Sequence, residues 1–213
     1  MGRTSLFCGL LLACSVAYAQ QPGFYLGASV GQTTVDLDAN EIAADLSALG
    51  VTNLSSSQDD SATAWKVYGG YQFNPYIGLE GGYADFGSYK LKFAGTLLGN
   101  SVTAKADADA QAIFVDLVGH LPLMDNALSL FAKGGFAYAR LKTSASASAG
   151  GMFASDNERD SNFVWKLGAG FRYSFNKQFG FRAEYEKYYN VGDKDTTGQS
   201  DVNMWSVGAT YSF

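Results

Sequence analysis

Trp205-Ser206-Val207-Gly208-Ala209-Thr210-Tyr211-Ser212-Phe213 is the stretch that decides the fold. Counted back in twos from Phe213, it sets Tyr211, Ala209, Val207 and Trp205 on one face and Ser212, Thr210, Gly208 and Ser206 on the other. A period of two is the mark of an extended chain, because successive side chains of a β-strand point to opposite sides. One face is greasy, the other small and polar. A strand ending the chain on an aromatic residue predicts a sheet closed by pairing of its last strand with its first.

Seven further segments alternate in the same way, at about residues 24–34, 62–73, 76–86, 111–121, 128–140, 163–175 and 179–188. In the second, Trp65, Val67, Tyr71 and Phe73 oppose Lys66, Tyr68, Gly70 and Gln72. In the sixth, Phe163, Trp165, Leu167, Phe171 and Tyr173 oppose Lys166, Gly168, Gly170 and Arg172. Strands of this length match a tilted transmembrane β-barrel, which needs about 9 to 11 residues per crossing. Beyond the N-terminal segment no run of 18 apolar residues exists to form a transmembrane helix.

That N-terminal segment, residues 1–19, reads as a secretory signal: Arg3, then an apolar run from Leu6 to Val16, then Ala17-Tyr18-Ala19 as a small-residue cleavage site. The expected mature domain is 20–213. Leu11-Leu12-Ala13-Cys14 also resembles a lipobox, so lipidation at Cys14 stands as the alternative to cleavage after Ala19. Cys8 and Cys14 both lie in this segment, which leaves the mature chain without a disulfide or a thiolate metal site. Removing Arg3 takes the 15 basic residues to 14 against 20 acidic, a net charge of −6 that argues against nucleic acid as a partner.

Alternation alone does not say which face is outside, and a soluble barrel with a greasy cavity has the same period. Two features favour greasy-out. Glycines 27, 31, 70, 78, 82, 135, 168, 170 and 208 crowd the charged face, as a cramped interior requires. Trp65, Trp165 and Trp205 lie on the greasy face, eight, ten and eight residues before Phe73, Phe175 and Phe213. With Tyr71, Tyr173 and Tyr211 they form two aromatic belts at the edges of an apolar band, where two membrane interfaces place amphipathic rings. The expected fold is all-β: an eight-stranded antiparallel transmembrane barrel.

Connections after the second, fourth and sixth strands are short, whereas those at about 35–61, 88–110, 141–162 and 189–201 are long. Short periplasmic turns and long extracellular loops are the bacterial pattern, which puts both chain ends in the periplasm. Residues 41–46 suggest a helical turn in the first long loop, and the Ser/Ala-rich run 144–151 reads as a low-complexity loop.

Lys66, Glu80, Asp116, Lys133, Lys166, Arg172, Arg182, Glu184 and Glu186 all have inward parity, five positive and four negative. Ions of opposite sign in a small lumen should pair, since unpaired burial costs several kcal/mol per ion. The bland expectation is that they plug and brace the lumen; a regulated ion path requires that pairs exchange partners.

Gly69-Gly70-Tyr71-Gln72-Phe73-Asn74-Pro75-Tyr76-Ile77-Gly78-Leu79-Glu80-Gly81-Gly82-Tyr83 resembles the second strand, turn and third strand of the OmpA-type membrane domain. The resemblance implies an eight-stranded barrel in the cell outer membrane, with structural roles and at most a narrow pore. It also implies an interior acid at Glu80 and interior bases at Lys133 and Arg182. The chain departs from the pattern at Asp116, where a base is expected, and at Arg172, where an acid is. Full-length OmpA proteins add a periplasmic peptidoglycan-binding domain, and the expectation here is a barrel without it.

Small outer-membrane barrels that act on lipid A need a His and a Ser near the outer leaflet. The mature chain has one His, His120, and its descending strand carries it to the periplasmic edge. No phosphate loop, metal-ligand cluster or nucleophile elbow appears elsewhere. The expected protein is a non-enzymatic outer-membrane barrel of the OmpA type with a structural or surface-interaction role, with no cofactor and no metal, a monomer in contact with outer-membrane lipid and lipopolysaccharide and with the barrel-insertion machinery during assembly. A narrow pore for ions or small solutes, or an adhesin binding a host or surface ligand through its loops, are the alternatives.

Overall fold

The computed structural model describes residues 22–35, 52–59, 61–97, 100–123, 127–149, 152–192 and 200–213. The signal read at 1–19, the helical turn expected at 41–46 and the Met124-Asp125-Asn126 connection lie outside them. Among the described residues nine strands follow one another: β1 (Gly23–Val35), β2 (Thr52–Asp59), β3 (Ser61–Asn74), β4 (Ile77–Leu97), β5 (Asn100–Leu123), β6 (Leu128–Ala149), β7 (Met152–Ser174), β8 (Phe179–Val191) and β9 (Ser200–Ser212). All pairings are antiparallel, and the sheet closes because β1 pairs with both β3 and β9 while β4 pairs with β5.

Nine strands make eight staves. Strands β2 and β3 pair with the same edge of β4, Asp59 opposite Lys90 and Trp65 opposite Asp85, so they are successive pieces of one stave. Between those pieces β4 bulges at Gly87, whose φ of 79° suits glycine and whose Cβ, if present, would stand 2.5 Å from the Thr63 carbonyl oxygen. The bulge tucks Phe86 fully inside, where its carbonyl accepts a 2.7 Å hydrogen bond from Thr33 Oγ1.

The short turns after β3 and β7 are built by asparagine. Asn74 Oδ1 accepts from the amides of Tyr76 and Ile77 at 2.8 and 3.0 Å, and Asn176 Oδ1 accepts from those of Gln178 and Phe179 at 2.9 and 2.7 Å. In each turn the side-chain oxygen holds the amides that lead into the next strand, β4 at Ile77 and β8 at Phe179.

Two expected loops are strands. β4 and β5 run as a continuous hairpin to Leu97 and Asn100, and β6 and β7 to Ala149 and Met152, so most of 88–110 and 141–162 is ladder, including the Ser/Ala run as far as Ala149. β2 likewise takes up 52–59 of the first expected loop. Strand pairing needs only backbone partners, such as Lys105 opposite Ser146 and Ser146 opposite Ser155, and not a greasy face.

Burial is inverted relative to a soluble protein. Phe24, Leu26, Val30, Ile113, Leu117, Phe163 and Phe213 are more than half exposed on the outer wall, while Lys66, Asp116, Lys166 and Glu186 are fully buried within it. Such a wall is stable only against an apolar surrounding, which is the condition a bilayer supplies.

Candidate functional site, an ion-paired lumen

Eight of the nine inward charges meet in the middle of the lumen. Lys66 Nζ lies 2.6 Å from Glu184 Oε1 and also contacts Glu186. Lys133 Nζ reaches Glu184 and Glu186 at 2.7 Å each, Glu80 at 3.4 Å and Asp116 at 3.7 Å. Lys166 Nζ sits 2.8 Å from Asp116 and 2.6 Å from Glu186. Arg182 forks onto Glu80, at 2.5 and 3.2 Å, and reaches Glu184 at 2.9 Å. Every member touches at least two ions of opposite sign, and four cations balance four carboxylates. That multiplicity answers the desolvation cost, which for an unpaired ion is several kcal/mol.

The partners are brought together across the lumen, since Lys66 on β3 meets Glu186 on β8 although these strands are not neighbours. Gly135 keeps the wall thin there: a Cβ at that position would meet Asp116 Oδ1 at 2.6 Å and the Val115 carbonyl at 2.0 Å. Inward aromatic rings line the remaining faces of the cations. Lys166 Nζ is 3.9 Å from the Phe114 centroid and 4.7 Å from that of Tyr188, and the Arg182 guanidinium is 4.3 Å from Phe131 and 4.7 Å from Tyr68.

Toward the extracellular side the lumen turns apolar. Phe86 and Tyr188 pack edge to face at 4.7 Å, and together with Met204 they are fully buried. Toward the periplasm Tyr25 donates to Glu80 Oε2 at 3.0 Å, and below it stands the ninth charge, Arg172, with Nη2 bonded to Ser212 Oγ at 2.8 Å. His120 is buried at this same end, its Nδ1 3.4 Å from Ser129 Oγ. The two positions that depart from the OmpA pattern therefore fare differently: Asp116 has two lysine partners, whereas Arg172 has no carboxylate partner among the described residues.

On the outer wall the aromatic residues form two rows of touching rings. At the lower edge Phe24 and Tyr71, Tyr71 and Phe73, Tyr173 and Phe175, Phe179 and Tyr211, and Tyr211 and Phe213 pair at 4.8–5.3 Å. At the upper edge Trp65 packs on Tyr83, Trp205 on Tyr185, and Trp165 stacks on Tyr189 at 3.8 Å with planes 3° apart.

Sequence reasoning left out the inward aromatics as members of the site. Tyr25, Tyr68, Phe114, Phe131 and Tyr188 share the parity of the ions, and that parity was the available signal for their ring contacts with the cations. The partner of Arg172, Ser212, carries no such signal, because a serine beside the last residue is ordinary.

A closed eight-stave barrel, apolar outside, ringed by aromatics and braced within by ions, defines a small outer-membrane β-barrel protein. The chain belongs to the outer membrane protein beta-barrel domain family, which it matches over residues 5–213, and its place is the outer membrane. It is 29% identical over 148 residues to outer membrane protein A of Shigella flexneri, covering 69% of this chain and 39% of that protein. It thus spans about two-fifths of the length of that relative. Among solved structures, the attachment invasion locus protein Ail of Yersinia pestis aligns with 91% of this chain and all of its own at 18% identity and a TM-score of 0.53. The outer membrane protein OprG of Pseudomonas aeruginosa aligns with 92% of this chain and 98% of its own at 15% identity and a TM-score of 0.54. At these identities the two structures speak for the fold.

Proposed function

We propose that the protein is a non-enzymatic, sealed barrel that serves as a membrane-anchored structural element and works through its extracellular face. The observation that carries this reading is the balanced cluster of eight buried ions beneath the Phe86–Tyr188–Met204 plug. A path for ions would have to break several of these contacts at once. The periplasmic position of His120 speaks against a lipid-modifying role, whose substrate sits in the opposite leaflet.

The tall β4–β7 wall supports the extracellular part of the proposal. Among the described residues Lys90, Lys92, Lys105, Arg140, Lys142 and Arg159 are exposed there, against Asp107, Asp109, Asp156 and Glu158, although the chain as a whole is acidic. Lys92 stands opposite Lys105, and Lys142 stands between Arg159 on one side and Asp109 on the other. Like charges directly opposed on a ladder destabilise it, and an anionic partner relieves that cost. Lipopolysaccharide, with phosphates at this level of the outer leaflet, has the chemistry this wall favours.

Planar-bilayer recording of the purified protein tests the sealed lumen. The expected trace lacks well-resolved openings; openings abolished in Glu80→Gln or Lys133→Met would replace the structural reading with a pore. Binding to lipopolysaccharide-containing vesicles should weaken in Lys92→Gln/Lys105→Gln and in Lys142→Gln/Arg159→Gln, and unchanged binding in both would remove the wall from the proposal.

A further inference from the structure

Two glycines stand side by side on the outer face of the wall, Gly69 on β3 and Gly81 on β4, with Leu26 flanking them on β1 and Val115 on β5. The next outward pairs along the same two strands are bulky: Val67 opposite Tyr83 above, Tyr71 opposite Leu79 below. The missing side chains open a recess of about 590 Å³ that runs from the glycine pair, past Leu26 and Leu79, to the rings of Phe24, Tyr71 and Phe213. That volume falls within the range of small-molecule sites, about 300–1,000 Å³. Tyr25 and Glu80 also border it, but their side chains turn into the lumen and bond each other at 3.0 Å. The recess therefore presents apolar and aromatic side chains over bare backbone.

Packing of the wall does not require a glycine at 81. A Cβ there would stand 3.4 Å from the Phe114 carbonyl oxygen and 3.9 Å from Val115 Cγ2, which are ordinary contacts. Its inward neighbour Gly82 has no such room, since a Cβ would stand 2.3 Å from the Val67 carbonyl oxygen. At Gly69 the only close atom is the tip of the Leu26 side chain, 2.9 Å away. Glycine inside a strand gives up packing and chain entropy, and where the fold does not need it, it marks a close approach from outside.

What covers this wall is a bilayer, because the chain is an outer-membrane barrel. The lower end of the recess reaches the aromatic row at the edge of the short turns, which loop length assigns to the periplasmic leaflet. We infer that the recess seats one acyl chain of a glycerophospholipid of that leaflet. No water is released when apolar groups meet in hydrocarbon, so the preference comes from van der Waals contact: a chain lying in the recess touches wall on its floor and both flanks, and an empty recess forfeits those contacts. A second barrel fits poorly, because a stable protein contact buries about 1,200 Å² or more and presents a broad face, not a thread, to so narrow a gap. The seat is independent of what the extracellular wall binds.

The probe is a phosphatidylethanolamine with a photoactivated diazirine midway along one acyl chain, in phospholipid vesicles that hold the folded full-length barrel. Leu121 and Leu130, low on the outer wall away from the recess, serve as references: they are 58% and 44% exposed, against 54% and 44% for Leu26 and Leu79. Peptide mapping should find several-fold more label at Leu26 and Leu79 than at Leu121 and Leu130. Gly81→Leu fills the recess and should remove that excess, whereas Ala132→Leu, which adds the same bulk on the outer face of β6, should keep it. If Gly81→Leu does not fold, Val115→Trp narrows the recess from its flank and carries the test. Adding lipopolysaccharide to the vesicles should leave the excess unchanged, and its displacement would give the recess to a chain from the other leaflet instead. Equal label at all four leucines, or an excess that survives both recess variants, would overturn the assignment. So would label weaker at Leu26 and Leu79 than at the references together with disulfide-linked dimers of Leu79→Cys, which would give the recess to a second copy.

Discussion

Glu186 and Lys187 are neighbours in the chain and face opposite ways across the barrel wall. Glu186 is fully buried among Lys66, Lys133 and Lys166, while Lys187 meets Asp201 at 2.9 Å with both side chains nearly a third exposed. The same chemistry has different consequences in the two places. Water screens the rim pair and would solvate either member if the other were lost. Nothing solvates a lysine stranded in the lumen, so each interior ion depends on all its partners.

Removing one interior ion gives the sharpest contrast. Glu186→Ala strips a partner from three lysines and leaves the cluster with a net charge of +1. The expected loss is about 3 to 5 kcal/mol, read from urea unfolding in lipid vesicles by the heat-dependent gel shift. A loss no greater than that of a rim substitution would erase the distinction between the regions.

Removing a neutral pair should do much less. Lys166→Met with Asp116→Leu leaves three cations, Lys66, Lys133 and Arg182, facing three carboxylates, Glu80, Glu184 and Glu186. Apolar replacement of a buried pair is often neutral or stabilising, so the double variant should lie within about 1 kcal/mol of wild type. Lys166→Met alone should be clearly worse than the double. If the order is reversed, charge balance is not what the lumen requires.

The aromatic rows lie between these extremes. Trp165 stacks on Tyr189 at 3.8 Å on the outer wall, and Trp165→Ala should cost about 1 kcal/mol beyond lost area. The same substitution should leave the single-pair behaviour of the lumen variants unchanged, because the two faces of the wall share no side chain.

The staves that cross the membrane were legible in the sequence because their alternation pits large apolar residues against glycine and ions, as in 163–175. The extracellular extensions were not, although Ala104-Lys105-Ala106-Asp107-Ala108-Asp109-Ala110 keeps a strict period of two. Alanine is too small to mark a lipid-facing side, so the period was present without the contrast. β2, with its Ser55-Ser56-Ser57, has neither, and its place is set only by register against β4. For the lumen, parity was enough to name nine inward ions. Which ion meets which depends on the stagger of strands around the barrel, and that is absent from any single strand. Arg172 looked like one more member until the register set it against Arg182 and beside Ser212.

The smallest effect belongs to the rim, and it has a sign. Burial pushes the Asp201 carboxyl upward, but the hydrogen bond from Lys187 and that from the Asn190 amide at 3.1 Å outweigh it and hold the group below the ordinary aspartate range. A lowered carboxylate pKa stabilises the folded state above the unfolded-state value, and this contribution fades as pH falls through the folded one. Asp201→Asn should therefore cost under about 1 kcal/mol at neutral pH, less at high salt, and nothing at a pH where both forms are neutral. Unfolding of the variant and wild type at two pH values and two salt concentrations checks all three. A salt-insensitive loss as large as that of Glu186→Ala would mean that the rim pair is shielded from water and that exposure does not separate the two regions.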